Sequence, residues 1–220
     1  MEKRQKGLGK ALADLWREIS SREDCETTQS DKYLGEILSE ITTSTLLAPV
    51  ENASLPAIEQ LLENSSKQNN LSESIELFNQ ALERAKDLLF WYPNSVFEDA
   101  NAAQETENYC CNLVGKIGSA QTNPFLFSSN NILCGLFYLG PNQLYPEHKH
   151  PAVELYVVLS GKADWKRGRK DWQSRDPGEY FFHASNQPHA MRTNDEPLLA
   201  LWAWSGDIGE WASWVEEERA

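Results

Sequence analysis

All four histidines of this chain fall between positions 148 and 189, and two of them, His148 and His150, stand just ahead of an apolar run that begins with Glu154. Side chains two apart on a strand point to the same face. His148 and His150 therefore look one way together, and Glu154, Tyr156 and Val158 do so on the next stretch. Leu155, Val157 and Leu159 take the other face. A carboxylate in such a run needs a strong partner, because burying it unpaired is very costly. A divalent metal flanked by imidazoles is such a partner. Another imidazole follows in the segment Asn186-Gln-Pro-His189-Ala, after a Pro177-Gly178 turn. Three imidazoles and a carboxylate suit zinc, iron, manganese, nickel or copper and do not suit calcium.

The rest of the chain supplies the scaffold. Only three of the twelve glycines precede residue 110, and the first part reads as helix. Leu12, Leu15, Trp16 and Ile19 recur at helical spacing, as do Leu34, Ile37, Leu38 and Ile41 behind Ser30 or Asp31 as cap. A third helix starts near Pro56, and Asn70 with Glu73 has the form of a capping box for a fourth that Trp91-Tyr92-Pro93-Asn94 stops. From about residue 110 short apolar or alternating runs take over, at 132–139, 154–159, 180–183 and 198–204, with Gly, Pro and Asn between them. This spacing predicts a closed or double-sheet antiparallel β fold. The expected organisation is a helical region over 1–108, packing on a β-barrel over 109–220 that ends in a short helix at 209–218. The basic run Lys162, Lys166, Arg167, Arg169 and Lys170 reads as a solvated hairpin tip.

Charge narrows the partners. The chain carries 20 basic and 33 acidic side chains, a net charge of −13. Residues 1–110 hold 10 basic and 20 acidic groups, which disfavours nucleic acid and anionic membranes. No apolar run approaches the ~18 residues of a membrane span, and no apolar stretch follows the first residues. Cys25, Cys110, Cys111 and Cys134 show no paired spacing. The expected compartment is the cytoplasm.

Residues 140–161 match the first cupin motif, a glycine, then HxHxxxE, then Gly161, with two more residues ahead of His148 than that motif usually has. Residues 177–189 look like the second. Within the cupins the chain resembles the cupin-type dimethylsulfoniopropionate (DMSP) lyases. The likeness rests on residues 139–156 (LGPNQLYPEHKHPAVELY), 188–193 (PHAMRT) and 195–204 (DEPLLALWAW). The resemblance implies an α+β chain with a C-terminal cupin barrel, an antiparallel jelly roll, behind N-terminal helices. It implies one divalent transition metal held by His148, His150, Glu154 and His189, which leaves His183 as a neighbour of the site or a core residue. It also implies cleavage of a small zwitterion, DMSP, to dimethyl sulfide and acrylate with Tyr156 as base.

The residues themselves suit that chemistry. Tyr156 lies two positions from Glu154 and shares its face, and a cation nearby favours phenolate. An aromatic wall can hold a sulfonium group. Tyr145, next to the ligand segment, is the leading candidate; Tyr138, Trp165, Trp172, Tyr180, Trp202 and Trp204 are others. Two readings compete. A cupin dioxygenase can use three histidines and a glutamate, but its activity would need oxygen and a redox metal. A cupin sensor with a regulatory helical domain would carry a basic recognition helix or a His/Cys zinc site. The acidic first half, with no histidine and one cysteine before residue 110, offers neither. The helices are expected to cover the barrel, close over its mouth or form a homo-oligomer contact.

Overall fold

The computed structural model describes residues 2–21, 55–68, 71–94, 107–116, 124–210 and 212–215. Three helices come first: α1 (Glu2–Ser21), α2 (Pro56–Ser66) and α3 (Glu73–Arg84), followed by a single 3₁₀ turn at Lys86–Leu88. The strands are β1 (Trp91–Pro93), β2 (Asn108–Gly115), β3 (Phe127–Ser128), β4 (Ile132–Leu139) and β5 (Leu144–Lys149). They continue with β6 (Val153–Arg167), β7 (Gln173–Arg175), β8 (Tyr180–His183), β9 (His189–Ser205) and β10 (Ser213–Trp214).

Strand β9 is the spine. Its 198–205 half pairs with β4 on one side and its 189–192 end pairs with β5, while β6 runs along its other edge. β6 in turn pairs with β8 and β7, and β1 and β2 extend the sheet beyond β4. The long strands can curl because their ladders break where they bend. β6 shifts register against β9 between Val158 and Ser160 and again between Gly161 and Ala163. Gly161 has φ +74°, and a Cβ there would lie 1.7 Å from the carbonyl oxygen of Pro197. Only glycine meets both conditions. The result is a cupin-like fold, a sheet curled into a barrel and antiparallel except where β3 pairs with β2.

The curl gives the sheet two differently used faces. On the convex face, Leu155, Val157 and Leu159 of β6 join Leu12 and Trp16 of α1 and Phe78 of α3 in one buried cluster. Burying each such side chain contributes about 1.5–3 kcal/mol. Asn79 is buried there too and donates to the carbonyls of Ser65 and Leu159, which ties α3 to α2 and to the bend of β6. The concave face buries Tyr145, Tyr156, Val158, Trp165, Phe181 and Met191. The alternation along β6 is thus the division between helix-facing and interior-facing layers.

The structure departs from the sequence expectations in four places. Ser213 and Trp214 pair with Lys149 and His148 as a strand instead of forming part of a helix over 209–218; residues 211 and 216–220 lie outside the described residues. Trp91–Pro93 is a strand on β2, so the sheet takes in residues ahead of the expected 108/109 boundary. Ser72, not Asn70, stands at the N-cap of α3, without a side-chain capping bond, and Asn70 lies outside the described residues. Tyr138 and Tyr180, candidates for the aromatic wall, belong to the convex cluster. The expected helix through Leu34 and Ile41 also lies outside the described residues. The basic hairpin tip is a surface feature: Lys162 pairs with Asp176 and Lys166 with Glu147, and Arg192 lies over the Trp172 ring.

Candidate metal centre

Four elements bring the histidines and Glu154 together inside the barrel. β5 carries His148, which pairs in register with His189 at the start of β9. His150 follows at the end of β5. β6 places Glu154 between His183 of β8 and Trp204 of β9. All five of these His and Glu side chains are buried.

The ligating atoms fall into two overlapping groups, each within 4.8 Å: His148 with His150 and His189, and Glu154 with His183 and His189. Nε2 of His150 lies 3.1 Å from Oε2 of Glu154, and Nε2 of His189 lies 3.2 Å from the same oxygen, off line for a hydrogen bond. Oε1 accepts from the indole N–H of Trp204 at 2.6 Å. The ring of His150 rests on Trp204, with centroids 4.2 Å apart.

Three of the rings share one device. Nδ1 of His148 lies 2.9 Å from the Pro146 carbonyl, Nδ1 of His150 3.0 Å from that of Ala152, and Nδ1 of His189 2.8 Å from that of Gln187. A carbonyl oxygen only accepts, so each Nδ1 carries a proton, and a ring held this way offers an Nε2 lone pair inward whenever it is neutral. Two such lone pairs against one carboxylate oxygen repel unless a cation stands among them. With metal–ligand bonds of about 2.0–2.2 Å, neighbouring ligand atoms in octahedral or tetrahedral sites are about 2.8–3.6 Å apart. The 3.1 and 3.2 Å separations match that range. The donor set therefore fits a divalent transition metal.

Charge shifts describe the same shortage of positive charge. Burial opposes a charged His150, but the Glu154 carboxylate outweighs it and raises the ring above its ordinary value. Burial likewise opposes the Glu154 charge, yet His150 and His189 hold it well below the usual carboxylate range. Burial, aided by His189, depresses His148 to about 3 and holds His183 well below its ordinary value.

The two tyrosines differ. Tyr156 is buried two residues from Glu154; burial first, then the Glu154 charge, pushes its phenol well above 10. Tyr145 is also raised by burial, but its hydroxyl hydrogen-bonds Asn94. Its ring lies 4.3 Å from that of His148. Strict alternation would put Tyr145 on the face opposite His148. A register shift between the two residues turns both inward. Trp165, 4.8 Å from Tyr156, and Phe181, 4.6 Å from Trp165, complete an aromatic wall. Trp202 and Trp204 do share a face, 5.6 Å apart, but the role of Trp204 as a donor to Glu154 needs the β6–β9 register, which no sequence pattern reveals.

Comparison with known proteins agrees with this architecture. The model of the dimethylsulfoniopropionate lyase family matches residues 31–200. Dimethylsulfoniopropionate lyase DddQ of Ruegeria pomeroyi is 38% identical over 82 residues, 37% of this chain and 41% of that protein; the match thus spans about two fifths of the curated relative. Among solved structures, one from a study of the DMSP lyases RdDddP and RnDddQII superposes with a TM-score of 0.71 at 22% identity, covering 98% of this chain and 99% of the other. DddQ from Ruegeria pomeroyi gives 0.68 at 22% identity over 97% and 98%. At that identity the two structures show a shared fold.

Proposed function

This chain belongs to the dimethylsulfoniopropionate lyase family, and from that premise we propose that it cleaves DMSP by β-elimination to dimethyl sulfide and acrylate. His148, His150, Glu154 and His189 would hold a single divalent transition metal. Bound there, the ion would act as a Lewis acid toward the substrate carboxylate and offset the Glu154 charge that otherwise keeps the Tyr156 phenol protonated.

Tyr156 is the base. Its oxygen takes a proton from the carbon next to the substrate carboxylate. The electron pair of that C–H bond becomes the new C=C bond, and the C–S bond breaks with its electrons on sulfur. The sulfonium thereby leaves as neutral dimethyl sulfide, so neither oxidant nor reductant enters. The aromatic side chains of Trp165 and Phe181 beside Tyr156 offer π faces for the sulfonium, each contact contributing about 0.5–2 kcal/mol. Tyr145, held by Asn94, orients the substrate from the His148 side.

The observation that carries this reading is the placement of buried Tyr156 on β6, two residues from the buried Glu154 of the donor set and packed in the barrel interior. The test is incubation of the metal-supplemented protein with DMSP, with dimethyl sulfide read by gas chromatography. Dimethyl sulfide and acrylate should appear in equal amounts and disappear after chelation. No release above the uncatalysed rate would remove the proposal.

A further inference from the structure

His183 ends β8 directly opposite Glu154, with Phe181 two residues before it on the same interior face. It is fully buried, and neither ring nitrogen has a hydrogen-bond partner. An imidazole carries at least one N–H in every protonation state. The ring therefore holds a buried donor with nothing to donate to, which folded proteins rarely leave in place. Among the four histidines it alone has no carbonyl on Nδ1.

His183 is also poorly placed to share an ion with His189. The two rings are stacked, 4.0 Å apart with 17° between their planes. Imidazole lone pairs lie in the ring plane, so an ion reached by both nitrogens would sit well out of both planes. The rings of His148, His150 and His189 are instead inclined to one another by 43°, 60° and 79°, as convergent lone pairs require. What His183 does face is the interior beside Tyr156, whose ring lies 5.9 Å away, and Trp165 at 6.5 Å.

We infer that His183 binds the substrate carboxylate, donating a ring N–H to one of its oxygens. The identity of that substrate rests on the lyase reading; the chemistry needs only a small monocarboxylate next to the His/Glu cluster. A second carboxylate brought to this side of the barrel meets the charge of Glu154, so a donor placed across from Glu154 offsets that repulsion. A hydrogen bond to an anionic oxygen is the stronger kind.

Propionate, a monocarboxylate that cannot react, is the probe. Zinc-loaded wild-type protein, His183→Phe and His183→Gln are titrated with it by calorimetry, with zinc content measured in each. His183→Phe should keep its zinc and bind propionate about tenfold or more weakly, the loss expected for one hydrogen bond to a charged acceptor. His183→Gln, which keeps an N–H donor, should recover much of that loss. In the wild type, the His183 ring N–H resonance should shift with propionate and stay in place with propionamide. That measurement also decides the matter should His183→Phe not fold. Undetectable propionate binding to the wild type, a Phe variant that binds like wild type, a Gln variant as weak as Phe, or loss of zinc on replacing His183 would each overturn the inference. A wild type that binds propionate through His183 but releases no dimethyl sulfide would remove the lyase reading alone. Normal turnover with His183-independent binding would remove this one alone.

Discussion

The indole N–H of Trp204 donates to Oε1 of Glu154 at 2.6 Å, across the pairing of β6 with β9. That bond fixes which carboxylate oxygen is left for the imidazoles: Oε2 faces Nε2 of His150 and His189. The same indole supports the His150 ring. One side chain thus orients two members of the donor set while reaching neither by a lone pair.

Trp204→Phe isolates the hydrogen bond, since the phenyl ring can still cover His150. Partners of this kind typically tune metal affinity by about 10–100-fold. The variant should therefore lose metal to a competing chelator at correspondingly lower chelator concentration, with its circular dichroism unchanged. Affinity equal to wild type would mean that Glu154 is oriented by packing alone.

The donor set itself makes a second expectation. Single alanine replacements of His148, His150, Glu154 or His189 should each lower metal content to well below one equivalent, as measured by elemental analysis of the purified protein. His189 is the sensitive case, because its Nε2 has no hydrogen-bond partner. A His189→Ala protein with full occupancy would break the set proposed for the ion.

The period-two reading of residues 154–159 separated the two faces of β6 correctly, because a strand covered on one side by helices and on the other by a barrel interior keeps that period. Period two does not hold throughout the site, and Tyr145 is expected there from its place beside the ligand segment, not from alternation. Tyr145 comes inward only through the register shift before His148. The strand at Ser213–Trp214 looked helical because its pairing partner, β5, is remote in sequence. Among the candidate aromatics, Tyr138 and Tyr180 had no local signal for which face they take; that depends on strands β2, β4 and β8 being curled around a common axis. The Nδ1 contacts of the three histidines are equally invisible, since each depends on local backbone geometry.

Gly161 offers a test of the barrel rather than the site. Its φ of +74° disfavours any side chain, and the added Cβ would meet the Pro197 carbonyl. Gly161→Ala should therefore destabilise the fold by about 2–4 kcal/mol, combining backbone strain with a steric shift. Chemical denaturation measures it. A loss under about 0.5 kcal/mol, the size of an ordinary surface change, would show that β6 and β9 can separate at this bend without cost.

The last expectation concerns the base. Both tyrosines near the donor set are buried and both phenols are raised, so neither ionises unaided. Their surroundings separate them: after burial, the Glu154 charge weighs most on Tyr156, whereas on Tyr145 it weighs least and the Asn94 amide partly offsets the burial. A cation taking up the Glu154 charge would lower the cost of ionising Tyr156 far more than that of Tyr145. Tyr156→Phe removes only the hydroxyl, and the ring still packs on Trp165, so fold and metal content should persist. Loss of a general base commonly costs ~10²–10⁴ in rate, well above any packing effect expected here. Tyr145→Phe should keep part of the turnover, with the larger change in KM. Initial rates of acrylate formation, with metal content and circular dichroism as controls, decide between them. If metal-replete Tyr156→Phe turned over near the wild-type rate while Tyr145→Phe were inactive, the elimination would stand and the proton would be taken by Tyr145.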